Sequence, residues 1–381
     1  MAITTLGHSV SLDDIKDWSS AGNIDFRITR KSELALFSEG LAIARLHELA
    51  RAGITISVEL TFAIPMDILG KSDVDLAGLG LLGSLFGLAL VSYAKTVMDA
   101  NGADIRSSLF AGLWRLVQSF GGVLSSGSKQ YIVFRDPDYA IPQCLRETDR
   151  NSFPMFSRYR TVVSRLGVSI TNRSGLSASQ SENQLLTFLY EATANCHEHA
   201  RVHGRSGIRG IIVEKLFYNK FEQFSQRVTV PALAHPYVQG VWEENKGDLM
   251  FMAITVADFG PGIHNTLPQR HSESPWERLN RALVAGESRK PKASSLSVGQ
   301  GFTKILGAAR DLKAFLLVRS AEFVGYRNFF HDGLGDADVV PLRQVDTGQG
   351  SIGSSVTLLW PIPRISPDQQ ELFSRAMDFL P

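Results

Sequence analysis

Charge of one sign is missing from this sequence: 39 Lys and Arg stand against 38 Asp and Glu, a formal net charge of +1. A chain so balanced has no bulk attraction for nucleic acid or for an acidic membrane surface, so neither is expected as a partner. Cysteine is nearly absent as well. The two residues, Cys144 and Cys196, cannot build a disulfide framework and fit a reducing cytosol, which makes the cytoplasm the expected compartment. The opening stretch MAITTLGHSVSLDDIKDW has no basic region followed by an apolar core, so no secretory signal is expected. Long apolar runs are lacking but for one, residues 76–94, which are 19 residues without a charge against the roughly 20 that cross a bilayer. Gly78, Gly80, Gly83 and Gly87 interrupt that run, and no cluster of Lys or Arg flanks it to set an orientation. A short strand, a glycine-rich turn and a buried helix are expected there instead of a membrane span.

A length of 381 residues exceeds what one core usually supports, so two domains are expected, 1–150 and 151–381. In the first, alternation predicts a strand over Ile24–Ile28, a helix over 33–52 ending at Gly53, and a strand over 54–62. The 76–100 region supplies another helix, 109–120 a third, and 130–135 a short last strand. Such alternation favours an α/β layer. Residues 136–157 read as the linker. Beyond it come a helix over 156–166, a strand over 168–171, and a polar loop over 175–182 in which Ser179 or Ser181 caps the next helix. A strand over 207–213 and an irregular insertion over 220–244 complete the stretch before the glycine-rich segments.

The informative helix runs over 185–200. Leu185, Leu186, Leu189 and Ala192 recur at helical spacing, while Glu191, Asn195 and His199 stand four apart on another face. A carboxylate and a carboxamide one turn apart suit a magnesium-bound phosphate: the amide oxygen ligates the hard cation, and the carboxylate orients or deprotonates a nucleophile. Several other motifs fail on geometry. Gly70-Lys71-Ser72 resembles the end of a P-loop, but Pro65 stands where its first glycine is needed. His47-Glu48 is followed at once by Gly53 and a strand, where a phosphoacceptor histidine would need a long dimerisation helix. His197, His199 and His203 miss the zinc-protease spacing, since Arg201 occupies the required position.

Downstream, residues 252–263 read MAITVADFGPGI, a buried strand ending in Asp258-x-Gly260-x-Gly262. Gly299-Gln300-Gly301-Phe302 then opens a helix over 302–311, and Gly353-Ser354-Ser355-Val356-Thr357-Leu358 begins a last strand. Together with the polar helix, these resemble the N box, the two glycine boxes and the closing strand of the GHKL superfamily of ATPases and kinases, over roughly residues 180 to 363. The resemblance implies a Bergerat-type α/β sandwich, a mixed sheet with helices on one face, that binds ATP and Mg2+. It makes Asp258 the reader of the adenine amine, with Gly260 and Gly262 allowing close approach, and gives the phosphates to Gly299, Gly301 and Phe302. It implies Ser354 beside the base, Asn195 as the magnesium ligand and Glu191 as the catalytic base. The polar segment 264–298, with Arg270, Arg278, Arg281, Arg289, Lys290 and Lys292, would be a lid. The run Glu191-Ala-Thr-Ala-Asn195 is closer to the anti-sigma-factor serine kinases than to sensor histidine kinases, many of which have asparagine at the first position. The Asp258-Phe259-Gly260 triplet does not signal a eukaryotic-type kinase, because no His-Arg-Asp loop lies upstream. Residues 1–150 weakly resemble a STAS domain, through a strand, a glycine-rich turn and a helix. An ATPase or serine kinase in bacterial-type partner switching is therefore expected, acting with a protein regulator or substrate and leaving room for a homodimer. A non-catalytic ATP-dependent switch and a histidine kinase core are the alternatives.

Overall fold

The computed structural model describes residues 2–6, 10, 14–15, 17–18, 22–64, 76–126, 129–136, 141–146, 153–154, 156–165, 178–199, 207–216, 233–245, 249–283, 301–330, 342–345 and 352–363. The chain begins with strands β1 (Ala2–Leu6) and β2 (Ile24–Ile28), then helix α1 (Ser38–Arg51) and β3 (Ile56–Leu60). A 3-10 helix (Leu76–Gly83), α2 (Leu85–Tyr93), β4 (Thr96–Met98) and α3 (Arg106–Ser119) follow. Next come β5 (Val123–Ser126), β6 (Lys129–Asp136), α4 (Phe156–Arg165), α5 (Ala178–His199), β7 (Gly207–Leu216) and α6 (His235–Glu244). The remainder is β8 (Leu249–Asp258), a 3-10 turn (Ile263–Thr266), α7 (Pro275–Arg281), α8 (Gly301–Asp311), β9 (Phe315–Ser320), β10 (Phe323–Asn328), β11 (Arg343–Val345) and β12 (Ser354–Pro363).

The architecture is mixed α/β, built on two sheets. A four-stranded sheet in the order β1-β2-β3-β4 is parallel throughout, and an eight-stranded sheet runs β11-β10-β9-β12-β8-β7-β6-β5. Every pair in the larger sheet is antiparallel, so the expected mixed sheet is corrected among the described strands. The expectation of helices on one face is corrected too, because both faces are covered. Alternation along β8 divides them: Met250, Met252, Ile254 and Val256 join the core beneath α5 and α8, while Phe251 and Ala253 join the core on the opposite side with α6. That opposite side also carries the first layer. Its core continues from the parallel sheet through α1 and α2 into Tyr131, Val133, Ile208 and Ile212 of the larger sheet. Strands β5 and β6, which precede residue 150, are hydrogen-bonded members of that larger sheet.

Of residues 76–94, Leu79, Leu81, Leu82, Leu85, Phe86, Leu88 to Val91 and Ala94 pack into this first layer, and no described helix is long and apolar enough to cross a membrane. The strand expected at their start is a 3-10 helix instead, kinked at Gly80, where φ is +55°. Ser84 caps α2 by accepting from the Gly87 amide at 3.0 Å. A Cβ on Gly87 would overlap the backbone of Leu81 and Leu82, so that glycine serves close packing. Leu85, Phe86, Leu88, Leu90 and Val91 are all buried, worth about 1.5–3 kcal/mol each relative to exposure. Their uniform burial explains the uncharged run without a bilayer.

Other differences have local causes. Helix α1 stops at Gly53, whose φ of +75° lets Gly53 and Ile54 donate to Ala50 and Leu49. It starts at Ser38, later than expected, after Phe37 in a left-handed conformation. Helix α5 begins at Ala178, so 178–182 are helical where a loop is expected, and Ser181 lies inside the helix and not at its cap. Helix α6 replaces part of the expected irregular insertion, with proline in its first turn. Asp136 ends β6 and does not begin a linker. The strand expected over 168–171 lies outside the described residues.

Candidate functional site

One end of the larger sheet carries a row of polar residues facing α5. Asp258, Ser354 and Ser320 are directly paired across β8, β12 and β9, and Arg209 lies one step beyond the Gly210–Ala257 pair on β7. These side chains point the same way as Met252, Val356 and Val318 because strand side chains alternate. Helix α5 forms the wall: Leu185, Leu186, Leu189, Ala192 and Cys196 are buried against the sheet, which turns Glu191 and Asn195 towards the start of α8.

Asp258 is fixed from three directions. Its Oδ1 accepts from the amides of Gly260 at 2.8 Å and Ser354 at 3.1 Å, and its Oδ2 accepts from the Cys196 thiol at 3.2 Å. Burial raises the carboxyl above its ordinary value, opposed by the Gly260 amide, the Cys196 thiol, Arg319 and the Ser354 amide. Burial and the neighbouring Asp258 charge hold the Cys196 thiol well above its ordinary value, so it serves as a neutral donor.

The backbone around Asp258 is closed by glycines. The Gly353 amide donates to Gly260 at 2.7 Å, and the Gly353 carbonyl accepts from Ala321 at 2.8 Å. Gly353 has φ +83°, and a Cβ there would overlap the Asp258 carbonyl. Gly262, at φ +93°, passes Ala321 and Ser320 closely. Phe259 turns to the opposite face, where its ring lies 4.6 Å from that of His47 on α1.

The polar face of α5 meets α8 at Gly301. A Cβ on Gly301 would stand 3.1 Å from Asn195 Oδ1 and 3.3 Å from Glu191 Oε2, so the absence of a side chain brings the two helices together. The buried Asn195 Nδ2 has no hydrogen-bond partner among the described residues, a costly condition for an amide donor. Lys304 donates to Glu191 Oε1 at 2.6 Å. Phe302 is buried in the core under α8.

The structure therefore brings Glu191, Asn195, Gly301 and the Asp258, Gly260, Gly262 and Ser354 cluster to one end of the sheet. Gly299 lies outside the described residues, as do Arg289, Lys290 and Lys292 of the lid-like segment. Within that segment Arg281 binds Glu273 at 2.5 Å and Arg278 approaches it at 3.7 Å, and Arg281 holds the Glu273 carboxyl down at about 2. A capping box between Ser274 and Glu277 starts α7 there.

Four residues of the site escape a motif reading: Cys196, Lys304, Ser320 and His264. His264 Nδ1 lies 2.8 Å from Ser320 Oγ, and burial lowers its imidazole below its ordinary value. Lys304 follows Gly301 by three residues, one helical turn, which is the sequence signal that could have found it. No cluster of three or more His, Cys, Asp or Glu suited to a metal occurs among the described residues. No protein-family model, no curated protein and no solved structure matches this chain.

Proposed function

We propose that this site binds magnesium ATP and that the chain is a regulatory ATPase or protein serine kinase of the GHKL type. The observation carrying this reading is the convergence of a rigidly held buried carboxylate, Asp258, with the buried Asn195 Nδ2, which has no partner among the described residues, against the glycine start of α8. A carboxylate acceptor at the end of a strand suits an exocyclic amine. The Asn195 amide supplies an oxygen for a hard cation, and its orphaned nitrogen calls for an acceptor such as a phosphate oxygen. Magnesium ATP would supply a transferable phosphoryl group. Of this chain's own residues, Asp258 would orient the base, Asn195 would hold the metal and Glu191 would take a proton from water or a serine hydroxyl.

A second reading, an ATP-dependent switch without turnover, is favoured by the Glu191–Lys304 ion pair, because the carboxylate oxygen that the ammonium occupies is not free to meet a water or a hydroxyl until the pair opens. Binding of labelled ATP with magnesium to wild type and Asp258→Asn tests the common ground. Losing one hydrogen bond to a charged group costs about 1.5–3 kcal/mol, tenfold or more in affinity, and unchanged affinity in a folded variant overturns the assignment.

A further inference from the structure

We propose that Lys304 distinguishes ATP from ADP at this site: its ammonium, paired with Glu191, passes to a terminal phosphate and releases the carboxylate. The inference rests on the nucleotide reading above and adds a sensor to it. Lys304 lies in the first turn of α8, one turn from Gly301, and its Nζ is 2.6 Å from Glu191 Oε1. The pair has one open side. The Lys304 side chain is 39% exposed, whereas that of Glu191 is 12% exposed, so the cation can change partners while the carboxylate stays on α5.

Lysine suits such an exchange, being a compact charge with three donors on a flexible stem. The other cations near this end of the sheet are engaged in geometry less able to move. Arg209 is buried and donates to Asp136 at 2.8 Å, Arg281 is bound to Glu273, and buried Arg319 donates to the carbonyls of Ile352 at 3.1 Å and Ala321 at 3.3 Å. A terminal phosphate carries more charge than one carboxylate and accepts several hydrogen bonds, so it outcompetes Glu191 for the ammonium. The residue thereby released is the one assigned as base, which reconciles the catalytic and switch readings in one device.

A merely structural role, stapling α8 to α5, makes a different prediction, and calorimetric titration of the full chain separates the two. Magnesium ATP and magnesium ADP are titrated into wild type, Lys304→Met and Lys304→Arg, with thermal melting of each as a fold check. The expected result is that Lys304→Met loses about tenfold in ATP affinity, as befits one charged contact, while ADP affinity stays within about twofold. Lys304→Arg should restore most of the preference for ATP. An equal loss for both nucleotides, or no loss for either, overturns the sensor while leaving the nucleotide site standing. Failure of wild type to bind either nucleotide sinks the nucleotide reading, and the sensor with it.

Discussion

Lys129 and Asp258 sit on opposite faces of the same sheet, each at the centre of a polar cluster, and the two clusters are satisfied in different ways. On the first-layer face, Lys129 Nζ stands 3.6 Å from Glu214 and 3.8 Å from Glu39, and donates to the Leu34 carbonyl at 3.3 Å. Glu39 accepts from the Phe86 amide at 3.0 Å, in the first turn of α2, and from Tyr131 at 3.4 Å. Beside them lies a crevice lined by Phe37, Gly40 and Thr255 with room for about one water molecule. This cluster ties α1, α2, β6 and β7 together. On the other face, the Asn195 Nδ2 has no partner among the described residues and Lys304 is partly exposed to solvent. Buried polar groups cost stability unless paired, so the first cluster answers its own burial with internal partners, whereas the second leaves one buried donor of Asn195 without a partner among the described residues.

The largest effect separating the two belongs to Lys129→Met. Removing the cation leaves two carboxylates buried side by side, and breaking such a buried ion pair costs about 3 kcal/mol. Urea unfolding should show a lower midpoint with an unchanged slope. A loss below about 0.5 kcal/mol, ordinary for surface changes, would mean that this cluster is not what joins the layers.

The candidate site offers an effect nearly as large, but on rate. If Glu191 acts as a base, Glu191→Ala should cut phosphate release or transfer by at least about a hundredfold, the usual lower bound for general-base catalysis. Its ATP affinity should be unchanged or slightly improved, since Lys304 then has no internal competitor. Normal turnover in Glu191→Ala removes the catalytic role, and absence of turnover in wild type with candidate partners leaves only the switch.

The contrast also explains what the sequence made legible. Periodicity over 185–200 exposed Glu191 and Asn195 on one face, because helix faces depend on residues three and four apart. Asp258 and its glycines were visible for a similar reason, lying together at the end of one strand. The short strands β1, β4, β5 and β9 to β11 were not expected. Three to six residues give little alternation, and their partners are set by tertiary pairing. Likewise Lys304 meets Glu191 across 113 residues of sequence, and Glu39, Lys129 and Glu214 come from three separate elements. The place of Lys304 one turn after Gly301 marks it as a residue of that helix end, but its pairing with Glu191, like the meeting of Glu39, Lys129 and Glu214, has no local signal. The fit of α1 on the sheet was hidden in one small residue, Gly40, where a Cβ would come within 3.3 Å of both Ser355 and Ala257.

The smallest expected effect is in the pH dependence of stability, and it tests the closed cluster without breaking it. Burial raises the Glu214 carboxyl above its ordinary 4.5, and the Lys129 charge only partly opposes this. Burial alone would depress the Lys129 ammonium, but Glu214, Glu39 and Glu33 hold it above its ordinary 10.5. For both groups the folded state keeps a proton that the unfolded chain has released. The Glu214 contribution is therefore complete below pH 4.5 and is lost as pH rises through its folded value. That of Lys129 persists through neutral pH and is lost above 10.5. Asp258, also raised by burial, adds a decline of the same sign starting at its ordinary 3.8. Glu214→Gln should remove the Glu214 part of the acid-side decline and leave the Asp258 part, whereas Asp258→Asn should do the reverse and also weaken ATP binding. Melting temperatures of wild type and both variants between pH 4 and 8 make the comparison. If Glu214→Gln follows the wild-type curve throughout, the Glu214 proton is not coupled to folding, and the closed cluster holds its two carboxylates by a different charge balance.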